Sequence, residues 1–92
     1  MREYNNKGLL EYEGGYSNGK RNGKGKEYIS GYLEFEGEFL NGKRNGKGKE
    51  YCGHTLFFEG EYLNGERNGK GKEYDNEGNL IFEGEYLNGE KI

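Results

Sequence analysis

The chain has 92 residues, of which 29% are hydrophobic and 34% are charged, and its formal net charge is −3. No apolar run exceeds three residues and Ala, Val and Trp are absent, so the composition excludes a membrane-spanning helix and argues against a two-layer globular core. The near balance of 14 basic and 17 acidic residues offers no broad attraction to phosphate backbones, and we expect no nucleic-acid partner.

The first residues contain an acid at Glu3 and no apolar segment, which predicts a chain without a signal peptide. The single cysteine, Cys52, cannot form an internal disulfide, and this is typical of a reducing compartment. We therefore expect a cytoplasmic protein, either free or at the periphery of a membrane or the cytoskeleton.

A repeat of 23 or 24 residues runs through the whole chain. Residues 12–34, 35–57 and 58–81 are three complete copies, whereas residues 1–11 and 82–92 each match about half of one. A repeat of this length is one supersecondary unit that buries its apolar face only against its neighbours. The sequence therefore predicts a single repeat array over residues 1–92, with no second domain.

Each copy begins with a stretch in which apolar residues or glycine alternate with polar residues, the pattern of a β-strand with one buried face. In chain order the predicted buried faces are Leu10, Tyr12, Gly14 and Tyr16; Leu33, Phe35, Gly37 and Phe39; Leu56, Phe58, Gly60 and Tyr62; and Leu80, Phe82, Gly84 and Tyr86. The eight aromatic residues among them are expected to form a structural spine. The glutamates at positions 13, 36, 38, 59, 61, 83 and 85 are expected on the opposite, solvated face.

Two Asn-Gly pairs follow each complete strand, beginning with residues 18–19 and 22–23. Asn-Gly tolerates positive φ and marks hairpin connections, so we predict a loop of about six residues and then a short return strand. Closure across that loop places Tyr16 opposite Gly25 and Glu38 opposite Lys49, with each ring lying over a glycine. The fold predicted is all-β, an elongated single-layer antiparallel meander of about eight strands, roughly 35 Å long at 4.7–4.9 Å per strand.

The recurring pattern is aromatic-x-Gly-x-aromatic-x-Asn-Gly followed by Gly-x-Gly. It occurs as Tyr12, Gly14, Tyr16, Asn18-Gly19, Gly23 and Gly25; as Phe35, Gly37, Phe39, Asn41-Gly42, Gly46 and Gly48; as Phe58, Gly60, Tyr62, Asn64-Gly65, Gly69 and Gly71; and in half as Phe82, Gly84, Tyr86 and Asn88-Gly89. This pattern resembles the MORN (membrane occupation and recognition nexus) repeat, with Phe or Tyr where Trp is common at the second aromatic. A bacterial family of antitoxin-like repeats has a similar pattern.

The resemblance to MORN repeats implies stacked hairpins and non-catalytic roles: scaffolding at membranes or the cytoskeleton, dimerisation, and affinity for phosphoinositides. The residues themselves offer little chemistry. Cys52 and His54 stand two positions apart, but a metal site needs three or four ligands and a nucleophile pair needs an orienting group. We expect no catalytic residue, no metal site and no cofactor.

We therefore predict a non-enzymatic module for protein–protein interaction or scaffolding. Its partner, another protein or a second copy, would bind the exposed aromatic face or an open terminal strand edge. The alternative is peripheral binding of anionic phospholipid or phosphoinositide by basic residues at equivalent loop positions along one edge of the sheet. Those residues are Lys20, Arg21, Lys43, Arg44 and Arg67. A third reading, a passive piece of a longer array, follows from the two half copies.

Overall fold

The computed structural model describes residues Met1–Ile92 and contains nine β-strands and no helix. The strands are hydrogen-bonded in chain order as one open antiparallel sheet, so the predicted single-layer meander is confirmed. Their bounds are β1 Arg2–Tyr4, β2 Leu10–Ser17, β3 Lys20–Ile29, β4 Tyr32–Leu40, β5 Lys43–Cys52, β6 Thr55–Leu63, β7 Glu66–Tyr74, β8 Leu80–Leu87 and β9 Glu90–Lys91. The strand number exceeds the expected eight because β1 and β9 are each a fraction of a strand.

The Asn-Gly hairpins are tighter than the sequence analysis predicted. Strand β2 ends at Ser17 and β3 begins at Lys20, so the turn contains only Asn18 and Gly19, with φ of 52° and 77°. Two positive φ values define the type I′ turn, whose twist matches that of the flanking strands. The predicted six-residue loop is therefore wrong.

The second Asn-Gly of each copy forms a bulge within the return strand. In β5 Gly46 has φ of 100°, and Glu38 of β4 lies opposite three residues, 45–47. The backbone N–H of Lys47, displaced by the bulge, donates to Glu38 Oε1 at 2.7 Å. The bulge shifts the register from the predicted one, so that Lys49 faces Glu36 instead of Glu38.

The same correction applies to the first hairpin, where Tyr16 faces Arg21 and Gly25 faces Gly14. The expected contact between a ring and a glycine does occur, but with a different ring. A Cβ on Gly25 would lie 2.5 Å from Cε1 of Tyr12, so only glycine leaves room for that ring against the backbone.

A further bulge lies between copies and changes the face of four leucines. The register shifts between Glu27 and Tyr28, so that Tyr28 pairs with Leu33 and Glu34 is the extra residue. Leu10, Leu33, Leu56 and Leu80 accordingly lie outside the core cluster, and their predicted place on the aromatic face is wrong. At the end of the second complete copy the extra residue, Phe57, packs against the core instead.

The core is a single row of aromatic rings along the long axis of the sheet. Six of the rings are buried, whereas Tyr16 and Phe82 at the two ends of the row are partly buried. Neighbouring rings pack edge to face with centroids 5.1–5.8 Å apart, in the order Tyr16, Tyr12, Phe39, Phe35, Tyr62, Phe58, Tyr86 and Phe82. The sheet measures 36 × 27 × 17 Å, close to the predicted length.

Candidate functional site

Arginine side chains cover the aromatic row on the side away from the backbone. The pairs are Arg21 over Tyr12, Arg44 over Phe35 and Arg67 over Phe58, with Cζ 4.4, 4.2 and 3.9 Å from the ring centroid. A planar guanidinium stacks on an aromatic face and is attracted by the negative ring quadrupole. The single-layer sheet thus keeps its rings from water with a layer of arginines in place of a second sheet.

Carboxylates hold these arginines in position. Glu27 accepts from both Arg21 Nη1 at 2.8 Å and Arg44 Nε at 2.7 Å, and so links two successive copies. Glu50 accepts from Arg67 Nε at 2.9 Å and also from the hydroxyl of Tyr62. In the same way, the hydroxyl of Tyr16 donates to Glu3 and the hydroxyl of Tyr86 donates to Glu73.

Three groups of this layer have shifted pKa values. Burial, together with the hydrogen bond to Glu50, raises the pKa of Tyr62 far above its ordinary value. Burial and the neighbouring Glu73 likewise raise the pKa of Tyr86 to about 12. Burial alone would raise the pKa of Glu50, but the hydrogen bonds from Arg67 and Tyr62 lower it below its usual range. At neutral pH Glu50 is therefore charged, whereas Tyr62 and Tyr86 are neutral.

The structure places the predicted basic edge differently from the sequence analysis. The three arginines do not lie in loops, because each is the second residue of a strand: Arg21, Arg44 and Arg67. Their side chains are only 21–24% exposed. Lys20 and Lys43 are exposed beside the turns, but the equivalent positions in later copies hold Glu66 and Glu90. The aromatic rings, which the sequence analysis expected to be exposed, are covered by the arginines, so the prediction of an exposed aromatic face is wrong. Binding of a partner to this face stays a prediction.

The opposite face of the sheet forms an open groove with a volume of ≈ 1880 Å³. Its floor is the bare backbone of a row of glycines that pair across the strands, Gly14, Gly25, Gly37, Gly48, Gly60, Gly71 and Gly84. Charged side chains flank this floor on both sides, and only one lining residue is hydrophobic. The groove is therefore the polar, accessible counterpart of the aromatic face.

Charges of opposite sign alternate along the walls of the groove. One wall runs through directly paired residues in the order Glu13, Lys26, Glu36, Lys49, Glu59, Lys72 and Glu83. The other wall contains the pairs Lys24–Glu38, Lys47–Glu61 and Lys70–Glu85. Each lysine thus has a carboxylate across the strand, so the groove carries many charges with almost no net charge.

Tyrosines at the rim hold the carboxylates of the first wall. The hydroxyl of Tyr51 donates to Glu36 at 2.7 Å, and that of Tyr74 donates to Glu59 at 2.6 Å. Burial and the bonded carboxylate of Glu36 raise the pKa of Tyr51 to about 12. These contacts orient the glutamate row towards the groove, whereas the lysines of the same wall form no ion pair within 4.0 Å.

Cys52 and His54 lie at a tight turn away from the groove. Cys52 is an exposed free thiol at the end of β5 and pairs with Thr55 across the turn, and the His54 ring lies edge-on to Tyr32 at 6.1 Å. No group of three or more His, Cys, Asp or Glu side chains is arranged to hold a metal ion. The structure also contains no helix of the length and apolarity that crossing a membrane requires.

The sequence analysis missed the arginine layer. Its signal is present: in every complete copy an arginine stands nine residues after the first aromatic, as at Tyr12 and Arg21. A single-layer sheet has no second layer to cover its aromatic rings. An arginine at a fixed distance from the first ring of each copy therefore indicates the group that covers that ring. Charge alone indicates only a basic edge.

Comparison with known families agrees with this architecture. The sequence model of the MORN repeat matches residues 12–31, 35–53 and 58–80, which together span more than half of the chain. A search of curated proteins found no match. MORN repeats are in general non-enzymatic modules for interaction with proteins or membranes. The chain belongs to the MORN repeat family.

Proposed function

We propose that this chain is a protein-interaction module that binds a polypeptide segment of mixed charge along its glycine-floored groove. The observation that carries the proposal is the contrast between the two faces. The aromatic face has its rings buried and its arginines paired, whereas the groove leaves its lysines free of ion pairs beneath an open volume of ≈ 1880 Å³. Free charged groups on an accessible concave surface are available to a partner.

The dimensions of the groove suit a short stretch of polypeptide. The long axis of the sheet measures 36 Å. An extended chain advances ~3.3 Å per residue, so about 10 residues would lie along the groove. The bare backbone of the floor, with side chains only at the walls, lets such a segment approach closely while its own charges pair with the walls.

The charge pattern favours a polypeptide over an anionic membrane surface. Binding to anionic lipid gains about 1 kcal/mol per basic residue only where those residues act together near the surface. In the groove each lysine has a glutamate across the strand, as Lys49 has Glu36 and Glu59 on its two sides. A segment in which acidic and basic residues alternate matches this pattern, whereas a uniform anionic surface meets as many carboxylates as ammonium groups.

The test is a selection from a display library of random twelve-residue peptides, followed by fluorescence anisotropy with the enriched peptides. The groove variant K26Q/K49Q/K72Q removes three lysines of one wall. The matched variant K7Q/K20Q/K43Q removes three exposed lysines away from the groove, so the net charge changes equally. We expect the groove variant to weaken peptide binding at least tenfold and the matched variant to leave it unchanged.

Three outcomes would overturn this function: no peptide is enriched, the two variants weaken binding equally, or the groove variant binds as well as the wild-type chain. Co-sedimentation with vesicles containing phosphoinositide examines the membrane alternative in the same samples. Binding to those vesicles that K7Q/K20Q/K43Q abolishes and K26Q/K49Q/K72Q retains would assign the function to the turn edge instead.

A further inference from the structure

The charges of the groove form stripes that cross it from wall to wall. The return strands β3, β5 and β7 each contain Lys-Gly-Lys, as at residues 47–49, so both lysines of a strand project into the groove. The strands β4, β6 and β8 each contain Glu-Gly-Glu, as at residues 36–38, and β2 contributes Glu13 alone. Negative and positive stripes therefore alternate strand by strand along the sheet. Stripes of equal sign lie about 9.4–9.8 Å apart, since neighbouring strands are separated by 4.7–4.9 Å.

Hydrogen bonds fix the carboxylates of the negative stripes. In the stripe of β4, Glu36 accepts from the hydroxyl of Tyr51 at 2.7 Å, and Glu38 accepts from the backbone N–H of Lys47 at 2.7 Å. The stripe of β6 repeats both contacts. Each contact is made by Oε1, so the second oxygen of every one of these carboxylates is available to a basic group above the groove. The negative stripes are therefore preorganised acceptors at a regular interval.

This interval discriminates between the conformations that a partner could adopt along the groove. Polyproline II has three residues per turn and rises ~3.1 Å per residue, so every third residue lies on the same side, ~9.3 Å further on. In a β-strand the same side recurs every second residue, at ~6.8 Å. In an α-helix it recurs about every seventh residue, at ~10.5 Å. Only the polyproline II interval agrees with the stripe interval.

The agreement holds over the length of the groove. The negative stripes from β2 to β8 span six strand intervals, about 28–29 Å. Four residues at every third position of polyproline II span nine steps, ~28 Å, so all four lie opposite a negative stripe. Equivalent residues of an α-helix would run about 2–3 Å ahead of the stripes over the same distance.

We propose that the groove binds its polypeptide partner in the polyproline II conformation, with a basic residue at every third position and acidic residues between. The basic residues meet the glutamate stripes, and the acidic residues meet the exposed lysine stripes. The conformation and the charge spacing rest on the proposed function, because they concern the same groove. Proline at the remaining position of each triplet favours this conformation, since its ring fixes φ near the polyproline II value.

Two blocked peptides of identical composition test the spacing. KPEKPEKPEK has lysine at every third position, whereas KEKEKEKPPP has the same residues with lysine at every second position. Fluorescence anisotropy with the full chain measures both dissociation constants. We expect KPEKPEKPEK to bind at least tenfold more tightly. The shorter KPEKPEK should bind about threefold more weakly than KPEKPEKPEK, because one triplet removes only a few exposed ion pairs.

A variant of the chain tests the order of the stripes. K70E/K72E/E83K/E85K exchanges the last positive stripe with the last negative stripe at constant net charge, and none of these side chains forms an ion pair within 4.0 Å. This variant should bind KPEKPEKPEK only as tightly as the wild-type chain binds KPEKPEK. The matched variant K20E/K43E/E66K/E90K exchanges exposed charges at the turns, also at constant net charge, and should bind like the wild-type chain. Circular dichroism confirms that both variants retain the sheet.

Failure of the spacing can be distinguished from failure of the groove function. Equal affinities for the two decamers, or an exchange variant that binds KPEKPEKPEK as tightly as the wild-type chain, would overturn the polyproline II proposal alone. So would tighter binding of a 22-residue helical peptide with lysine at every seventh residue, or library peptides that bind the groove without a three-residue charge period. Absence of binding by every designed and selected peptide would overturn both the spacing and the proposed function.

Discussion

The two faces of this sheet are made by alternate residues of the same strands, yet they use charge in opposite ways. In β4, Phe35 and Phe39 lie on the aromatic face, whereas Glu36 and Glu38 line the groove. On the aromatic face, three arginines and, at the end of the row, Lys91 lie over aromatic rings and pair with glutamates. In the groove the charges are glutamates and lysines, with Arg2 at one end, in rows open to water.

The difference between arginine and lysine explains this division. A guanidinium is planar and weakly hydrated, so it stacks on a ring and pairs with carboxylates at little desolvation cost, whereas an ammonium group is strongly hydrated and stays in water. Adjacent residues show the contrast: Lys43 is exposed at the turn, and Arg44 lies 4.2 Å above the Phe35 ring. The face that a basic residue occupies, and not its charge, therefore decides whether it covers the aromatic core or stays in water.

The largest expected difference between the faces is in free energy of unfolding. Phe35 is fully buried and contacts Phe39 and Tyr62, so F35A should destabilise the chain by about 3–5 kcal/mol in chemical denaturation. The groove variant K49A should change the free energy of unfolding by less than about 0.5 kcal/mol. Similar losses in both variants would show that the groove wall, too, belongs to the core.

Replacing arginine with lysine at position 44, or lysine with arginine at position 43, should have a smaller effect on the free energy of unfolding. R44K keeps the charge but loses the stacked plane over Phe35 and the directed bond to Glu27, and we expect a loss of about 1–2 kcal/mol. The neighbouring K43R, at an exposed position, should leave stability within about 0.5 kcal/mol. Equal effects of the two variants in urea denaturation would contradict the role of the arginine layer.

A further expected effect is a dependence of stability on alkaline pH. Tyr51 on the groove side and Tyr86 on the aromatic face have pKa values raised to about 12. A tyrosine in the unfolded chain has a pKa near 10. Between these values the unfolded chain loses protons that the folded chain retains, so the free energy of unfolding should fall as pH rises from about 10 to about 12.

The variants Y51F and Y86F separate the two contributions to this slope. Each should make the decline shallower while leaving stability at pH 8 to reflect only the lost hydrogen bond to Glu36 or Glu73. Denaturation curves recorded at several pH values measure the slope directly. A decline that is unchanged in both variants would place its origin in other groups.

The amino-acid sequence by itself determined the strands, their order and the length of the array. The alternation of Tyr12, Glu13, Gly14 and Tyr16 admits only an extended conformation with one apolar face, and its recurrence every 23 or 24 residues admits only stacked copies. These conclusions depend on period and residue type, which are local properties. They hold whatever the exact pairing of neighbouring strands.

Only the tertiary structure decided the register and the cover of the core. Both Asn-Gly pairs of a copy tolerate left-handed backbone, so local preference does not say which is the turn and which is the bulge. Contacts across strands settle it: Glu38 captures the N–H of Lys47, and Asn45 Oδ1 accepts from Asn64 N of the following hairpin at 3.2 Å. The arginine layer likewise depends on Glu27 reaching Arg44 two strands away, a contact between copies that no single copy contains.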